Sequence, residues 1–225
     1  NARDEGDVSP LSVKELDWLP ATVVKGEGLF FTISQNKIAD WLNNTSEIEQ
    51  RCTQIREAFI EKLNLLNQNY DDQDFVINPT FLLLHTLSHL VIRQLSLSSG
   101  YNTASIRERI YCDDVSPEMS GVLIYTGTSD SDGTLGGLAR LSETDFFTSI
   151  IKDAVNQAQW CSSDPLCIDG ISSVSESMNH AACHSCSLLP ETSCEHFNYF
   201  LDRALIIGTP ENPQIGFFSS LLEED

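Results

Sequence analysis

The sequence predicts a mixed, helix-rich α/β fold with a cysteine-ligated zinc-binding segment near the C-terminus. Three observations support this fold class. Apolar residues recur at helical spacing over several long segments, two short runs have the composition of strands, and five of the seven cysteines fall between residues 161 and 194. With 225 residues and 41% hydrophobic content, the chain can bury a sizeable core without depending on a metal for all of its stability.

The first half of the chain predicts one strand followed by three helices. Residues 23–33 are rich in β-branched and aromatic residues and contain Gly26 and Gly28, which favours a strand with a turn or bulge. Residues 36–42 and 47–66 predict amphipathic helices. Pro79 opens the next element, a helix over 81–97 that is apolar on almost every side and is therefore expected to be buried.

The second half predicts a short helix over 103–111, a strand over 122–125, and helices over 142–160 and 198–207. Ser142 and Asp145 resemble a capping box at the start of the longer helix. We predict two domains. Residues 1–75 form an N-terminal strand and helices that lead into the core, and residues 76–225 form a zinc-binding domain with an acidic C-terminal tail.

The charge of the chain argues against a free-standing nucleic-acid binder. Thirteen Lys and Arg against 33 Asp and Glu leave a net charge of −20, which repels phosphate at long range. A basic protein partner is the simpler expectation.

No apolar stretch reaches 18 residues, and the N-terminus lacks the layout of a signal peptide. We therefore expect a cytoplasmic protein that does not enter the membrane.

The cysteine segment is the strongest chemical signal in the sequence. Cys183 and Cys186 form a Cys-x-x-Cys turn, the common way to present two thiolates to zinc from one loop. We expect Cys194 as a third ligand and Cys167 or Cys161 as the fourth, with Cys167 favoured because it lies closer to the turn. His180, His184 or His196 could also bind. One structural zinc is expected. The alternatives are buried thiols or a redox pair, but a redox pair needs no further cysteines nearby.

Two other patterns could carry chemistry. His85 and His89 lie four residues apart on one helix face, but in an apolar helix we expect core histidines that hydrogen-bond to neighbouring loops. Residues 127–137 form a glycine-rich loop that contains Asp130 and Asp132. A structural loop is the simpler interpretation. The alternative is a metal-dependent nuclease, or another DNA-processing enzyme, that uses this pair of carboxylates.

Several segments together resemble the C-terminal region of the DrmB family, a component of the DISARM anti-phage system. The resemblance covers about residues 78–207. It lies in these runs: LHTLSHL at 84–90, RERIY at 107–111, SDSDGTLGGL at 129–138, WCSSDPLC at 160–167, AACHSC at 181–186, LLPETSC at 188–194 and LDR at 201–203. The same region is similar to the zinc-binding domain of MrfA-type helicases.

The resemblance implies a protein in which four cysteines hold one zinc and which acts as a non-catalytic partner of a superfamily 2 helicase, here a DrmA-like one. DNA would be engaged through the complex. No helicase motifs occur in the chain, so ATP hydrolysis is expected from the partner. The local exception to the acidic composition is Arg93, Arg107 and Arg109, which could line a DNA groove if helix 81–97 packs beside the element that follows.

Overall fold

The computed structural model describes residues 17–18, 26–68, 77–112, 119–126, 137–170 and 178–222. Over these residues it forms three strands and seven α-helices. In chain order they are β1 (Gly28–Thr32), α1 (Gln35–Leu42), α2 (Glu47–Leu65), α3 (Pro79–Ser99), β2 (Ile106–Cys112), β3 (Ser120–Thr126), α4 (Gly137–Leu141), α5 (Thr144–Ala158), α6 (Ala204–Ile207) and α7 (Ser219–Leu222). Short 3₁₀ turns lie at Thr103–Ser105, Glu191–Ser193 and Pro213–Ile215. The helix-rich α/β prediction is confirmed.

The three strands form one antiparallel sheet in the order β1-β3-β2. In the register, Leu29 of β1 faces Ile124 of β3, and Ile106 of β2 faces Thr126. Leu29, Ile106 and Ile124 are all buried. They belong to one hydrophobic core that also includes the apolar side chains of α3 and α5.

Helix α3 is the central element of the core, as its uniformly apolar sequence predicts. Asn78 caps its N-terminus, with the side chain accepting a hydrogen bond from the Phe81 N–H, and Pro79 occupies the first turn. Every residue from 81 to 92 is buried. Gly100 ends the helix with φ 74°, a left-handed conformation that glycine adopts without strain.

The prediction of a helix over 103–111 is wrong. After one 3₁₀ turn, the segment continues as strand β2, in which Ile106 and Glu108 are buried and Arg107 and Arg109 are exposed. This alternation is the period of a strand, but a charged residue at an inward position conceals it. The consequence for the site is that Glu108 points into the core, towards α3.

Only the last turn of the helix predicted over 198–207 forms, as α6. Phe197, Asn198 and Phe200 have positive φ values of 54°, 61° and 66°, which an α-helix excludes. The Asn198 side chain instead bonds both the N–H and the C=O of Leu189.

The capping box predicted at Ser142 does not form either. The Ser142 hydroxyl donates to the Ala139 carbonyl, and the N-cap residue of α5 is Glu143, whose side chain makes no capping hydrogen bond.

Polar contacts join distant parts of the chain across the core. The Arg51 guanidinium of α2 donates two hydrogen bonds to Asp202, at 2.7 and 2.9 Å, and the Asp202 side chain is fully buried. The Trp41 indole of α1 donates to the Ile215 carbonyl at 2.8 Å.

The predicted domain boundary at residue 75 stays a prediction. Among the described helices, none has both the length and the hydropathy needed to cross a bilayer.

Candidate metal centre

Four cysteine sulfurs converge at one end of α5. The Sγ atoms of Cys161, Cys167, Cys183 and Cys186 all lie within 4.8 Å of one another. The Cys161–Cys183 separation is 3.4 Å, and Cys186 lies 3.8 Å from both Cys167 and Cys183. A tetrahedral zinc with Zn–S bonds of about 2.3 Å separates its sulfurs by about 3.8 Å. The four thiols are not disulfide-bonded, and their spacing fits a zinc ion.

Two loops present these cysteines in pairs. In the first, residues 162–170 form consecutive turns after α5 and Cys161, and the Cys167 N–H donates to the Ser163 carbonyl at 3.0 Å. In the second, the Cys183 carbonyl accepts from the N–H groups of Cys186, Ser187 and Leu188 at 2.9–3.2 Å. This tight turn directs both side chains of the Cys-x-x-Cys motif to the same side.

The electrostatics of the cluster favour thiolate at the Cys-x-x-Cys pair. Hydrogen bonding from Cys167 lowers the pKa of the Cys186 thiol to about 5, outweighing the opposing effect of burial. Burial acts to raise the pKa of Cys183, but the contact with Cys161 and backbone N–H groups lower it overall. Cys186 Sγ also accepts from the Cys183 N–H and the Ser187 hydroxyl. Such bonds to sulfur orient ligands and stabilise their charge.

Arg203 ties the first cysteine loop to the core. Its guanidinium is fully buried and donates to the Ala158 carbonyl at 2.8 Å and to the Asp164 carboxylate at 2.6 Å. The positive charge also acts on Cys186 and Cys167. A tetrathiolate zinc centre carries two net negative charges, so a buried arginine beside it offsets part of that charge.

Arg93 supports the second loop from α3. Its guanidinium donates to the carbonyls of Ser185 and Leu188, at 3.0 and 3.3 Å. Of the three arginines predicted to contact DNA, this one therefore braces the Cys-x-x-Cys turn. Arg107 and Arg109 lie on the exposed face of β2, and Arg109 pairs with Glu195 at 2.9 Å. Asp130 and Asp132, the candidate nuclease pair, lie outside the described residues.

The structure corrects the predicted grouping of the cysteines. Cys161 and Cys167 both lie beside the Cys-x-x-Cys pair, where the sequence analysis expected one of them. Cys194 lies elsewhere, 3.2 Å from the Nε2 atom of His85. The 3₁₀ turn at Glu191–Ser193 intervenes, and Cys194 is directed against α3 rather than back to the cysteine cluster. The prediction of Cys194 as the third ligand rests on its nearness in sequence to Cys186.

Cys194 belongs to a second group, with His85, His89 and Glu108, whose ligand atoms also lie within 4.8 Å of one another. All four residues are buried. His89 bonds the Ser187 carbonyl through Nδ1 at 2.9 Å, as expected for a core histidine bonded to a loop. Sequence reasoning missed Glu108, and the inward positions of Ile106 and Glu108 in an alternating strand are the signal that could have found it.

Charge interactions keep Glu108 ionised within this second group. Burial acts to raise the pKa of Glu108, but the charges and hydrogen bonds of His89 and His85 bring it well below its usual range. Burial lowers the pKa of His85 despite the neighbouring carboxylate.

The MrfA Zn-binding domain family matches residues 87–187, a range that contains all four cysteines of the first cluster. With the cysteine cluster, this match shows that the chain is a zinc-binding protein with an MrfA-type domain. The chain is 38% identical over 206 residues to the DISARM protein DrmB of Bacillus paralicheniformis. The match covers 92% of this chain and 36% of that protein. The chain is thus DrmB-like in sequence and spans about a third of the length of this curated relative.

Proposed function

We propose that the chain is a non-catalytic, zinc-stabilised subunit of a DISARM-type anti-phage defence complex. In this role it docks on a DrmA-like superfamily 2 helicase and assists that complex in engaging DNA. The observation that carries the proposal is the four-cysteine cluster within a DrmB-like sequence. We assign Cys161, Cys167, Cys183 and Cys186 as the four zinc ligands.

A zinc ion held by four thiolates is a structural element. Its tetrahedron is complete, so no position remains for the water or substrate that a catalytic zinc binds. Its contribution is to hold two loops that have no regular secondary structure. The free energy of metal binding becomes free energy of folding for these loops.

Two exposed apolar side chains lie at the first cysteine loop. Trp160 directly precedes Cys161 and is 82% exposed, and Leu166 directly precedes Cys167 and is 60% exposed. Exposed tryptophan is enriched among residues that dominate protein interfaces. Because zinc fixes the neighbouring cysteines, these side chains are presented on a rigid base. We propose this surface, defined by Trp160 and Leu166, as the docking surface for the helicase.

The charge of the chain favours a protein partner over direct DNA binding. A net charge of −20 disfavours the approach of phosphate, and of the three candidate arginines Arg93 and Arg109 already have protein partners. DNA contact through this chain is therefore proposed only within the complex, where the helicase supplies most of the cations. Arg107 on the exposed face of β2 would contribute, and Arg109 would contribute by exchanging its exposed contact with Glu195 for a phosphate.

Co-purification with a DrmA-like helicase tests the proposal. The zinc-loaded chain should be retained on the tagged helicase. The double variant Trp160→Ala with Leu166→Ala should be retained more than tenfold less, since loss of a central aromatic contact costs about 2 kcal/mol. Leu65→Ala is the matched control, because Leu65 is 79% exposed near the end of α2. Failure of the unmodified chain to bind, or equal loss in the control, would refute the docking proposal.

A further inference from the structure

The buried group formed by His85, His89, Glu108 and Cys194 has the composition of a second metal site. Two imidazoles, one carboxylate and one thiol come from three different elements: α3, β2 and the loop that follows the second 3₁₀ turn. The side chains of both histidines and of Glu108 are fully buried, and Cys194 is 5% exposed. Nitrogen, oxygen and sulfur donors in a set of four are the ligands that zinc accepts.

The donor atoms meet at distances close to those of a tetrahedral site. The Nε2 atoms of His85 and His89 lie 3.0 and 3.1 Å from the same Oε1 atom of Glu108. His85 Nε2 lies 3.2 Å from the Cys194 sulfur. Around a tetrahedral zinc, N···O pairs are separated by about 3.3 Å and N···S pairs by about 3.5 Å. An opening of a few tenths of an ångström would admit the ion.

The hydrogen bonds of His89 orient a lone pair towards the centre of the group. A carbonyl oxygen only accepts hydrogen bonds, so Nδ1 of His89 must carry the proton that it donates to Ser187 at 2.9 Å. Nε2 then points at the Glu108 carboxylate at 3.1 Å. A divalent cation that displaces the proton shared by these two groups would bind the Nε2 lone pair and the carboxylate together.

The surroundings of the other two donors match those of metal ligands. Cys194 Sγ accepts hydrogen bonds from the backbone N–H groups of His196 and Asn198, both at 3.4 Å. The Ser88 hydroxyl contacts Oε2 of Glu108, whereas both imidazoles contact Oε1. Partners of this kind hold ligands in place around an ion. Two neutral imidazoles, a carboxylate and a thiolate would also exactly balance the charge of a divalent cation.

We infer that His85, His89, Glu108 and Cys194 hold a second, structural zinc ion. The ion joins α3, β2 and the loop around Cys194. The second site is separate from the four-cysteine centre, and two of its ligands, His85 and Cys194, lie outside the range matched by the MrfA-type domain. The two centres are adjacent along the chain. The Ser187 carbonyl accepts the hydrogen bond from His89, and Ser187 directly follows Cys186. The inference does not depend on docking to a helicase.

Zinc X-ray absorption and elemental analysis of the purified, unmodified chain test this inference. Two centres should give about two zinc ions per chain and, because five thiolates are shared by two ions, about 2.5 sulfur and 1.5 nitrogen or oxygen neighbours per zinc. One zinc per chain with four sulfur neighbours would overturn the inference. It would mean that hydrogen bonds alone hold His85, His89, Glu108 and Cys194 together. This measurement needs no variant.

Variants locate the second ion. Cys194→Ala and His89→Ala should each reduce the content from about two zinc ions to about one, and the remaining zinc should have four sulfur neighbours. Cys52→Ser is the matched control, because Cys52 is fully buried but lies outside both groups, and it should keep both ions. Retention of two ions by both soluble variants would overturn the assignment of these ligands.

Discussion

Replacing Asp202 by Asn should destabilise the chain strongly while leaving its shape almost unchanged. The Asp202 side chain is fully buried and accepts hydrogen bonds from Arg51 at 2.7 and 2.9 Å and from the Ala204 N–H at 3.1 Å. In the variant, the amide can accept one bond from Arg51, but its NH₂ group faces the other guanidinium nitrogen. A buried arginine, 9% exposed, then lacks a counter-charge.

The expected loss in the free energy of unfolding is about 3–5 kcal/mol, the usual cost of removing one partner of a buried ion pair. With a urea dependence of about 2 kcal/mol per molar, the midpoint should fall by about 1.5–2.5 M. The assay is urea unfolding followed by circular dichroism, at one fixed concentration of free zinc so that metal binding contributes equally to every variant.

Glu195→Gln is the matched control. It removes the carboxylate of the Arg109–Glu195 pair, whose side chains are 57% and 39% exposed, and should cost about 0–1 kcal/mol. If Asp202→Asn shifts the midpoint no more than this control, the Arg51–Asp202 contact does not hold α2 to the core, and the reasoning is refuted.

Three further outcomes are expected. Burial acts to raise the pKa of Asp202, but Arg51 lowers it overall. The stability that the Arg51–Asp202 pair contributes is therefore present above the pKa of Asp in the unfolded chain, about 3.9, and is lost as the pH falls through the pKa in the folded chain. Burial lowers the pKa of His180 and Asp202 raises it, so His180 also responds to the substitution at acidic pH. The stability difference between Asp202→Asn and the unmodified chain should therefore be constant from pH 7 to 8, and a marked slope there would contradict this. Replacing Arg107 and Arg109 together by Ala should weaken DNA binding by the helicase complex and flatten the dependence of that binding on salt, without changing the zinc content. An unchanged affinity and an unchanged salt dependence would assign both arginines to the fold or the partner interface. Cys52→Ser should keep the zinc content of the unmodified chain in elemental analysis, and loss of metal would show that the ligand assignment is incomplete.

Strong helical patterns made most of the helices predictable. Helix α3 has a proline at its start, a glycine after its end and apolar residues between, and the structure places its ends within two residues of those expected. Strand β2 was missed because its inward positions include Glu108, a residue that composition alone assigns to the surface. Its burial depends on His85 and His89, about twenty residues earlier, and no local pattern reveals that contact.

The same limit applies to the site. The Cys-x-x-Cys pair was predictable because the spacing of Cys183 and Cys186 determines a local turn. The positions of the other two cysteines in the cluster depend on how the loop after α5 folds back. Tertiary contacts such as that between Arg203 and Asp164 decide this. Cys194 was misgrouped because sequence distance cannot show that the chain turns towards α3 before reaching it.

The zinc content of Cys161→Ser and Cys167→Ser tests the four-cysteine centre most directly. Both sulfurs lie within 4.8 Å of the Cys-x-x-Cys pair, so each variant should lose one zinc per chain relative to the unmodified protein when measured by elemental analysis under reducing conditions. If either variant, purified in soluble form, keeps its full zinc content, that cysteine is not a ligand and the assignment of the centre is contradicted.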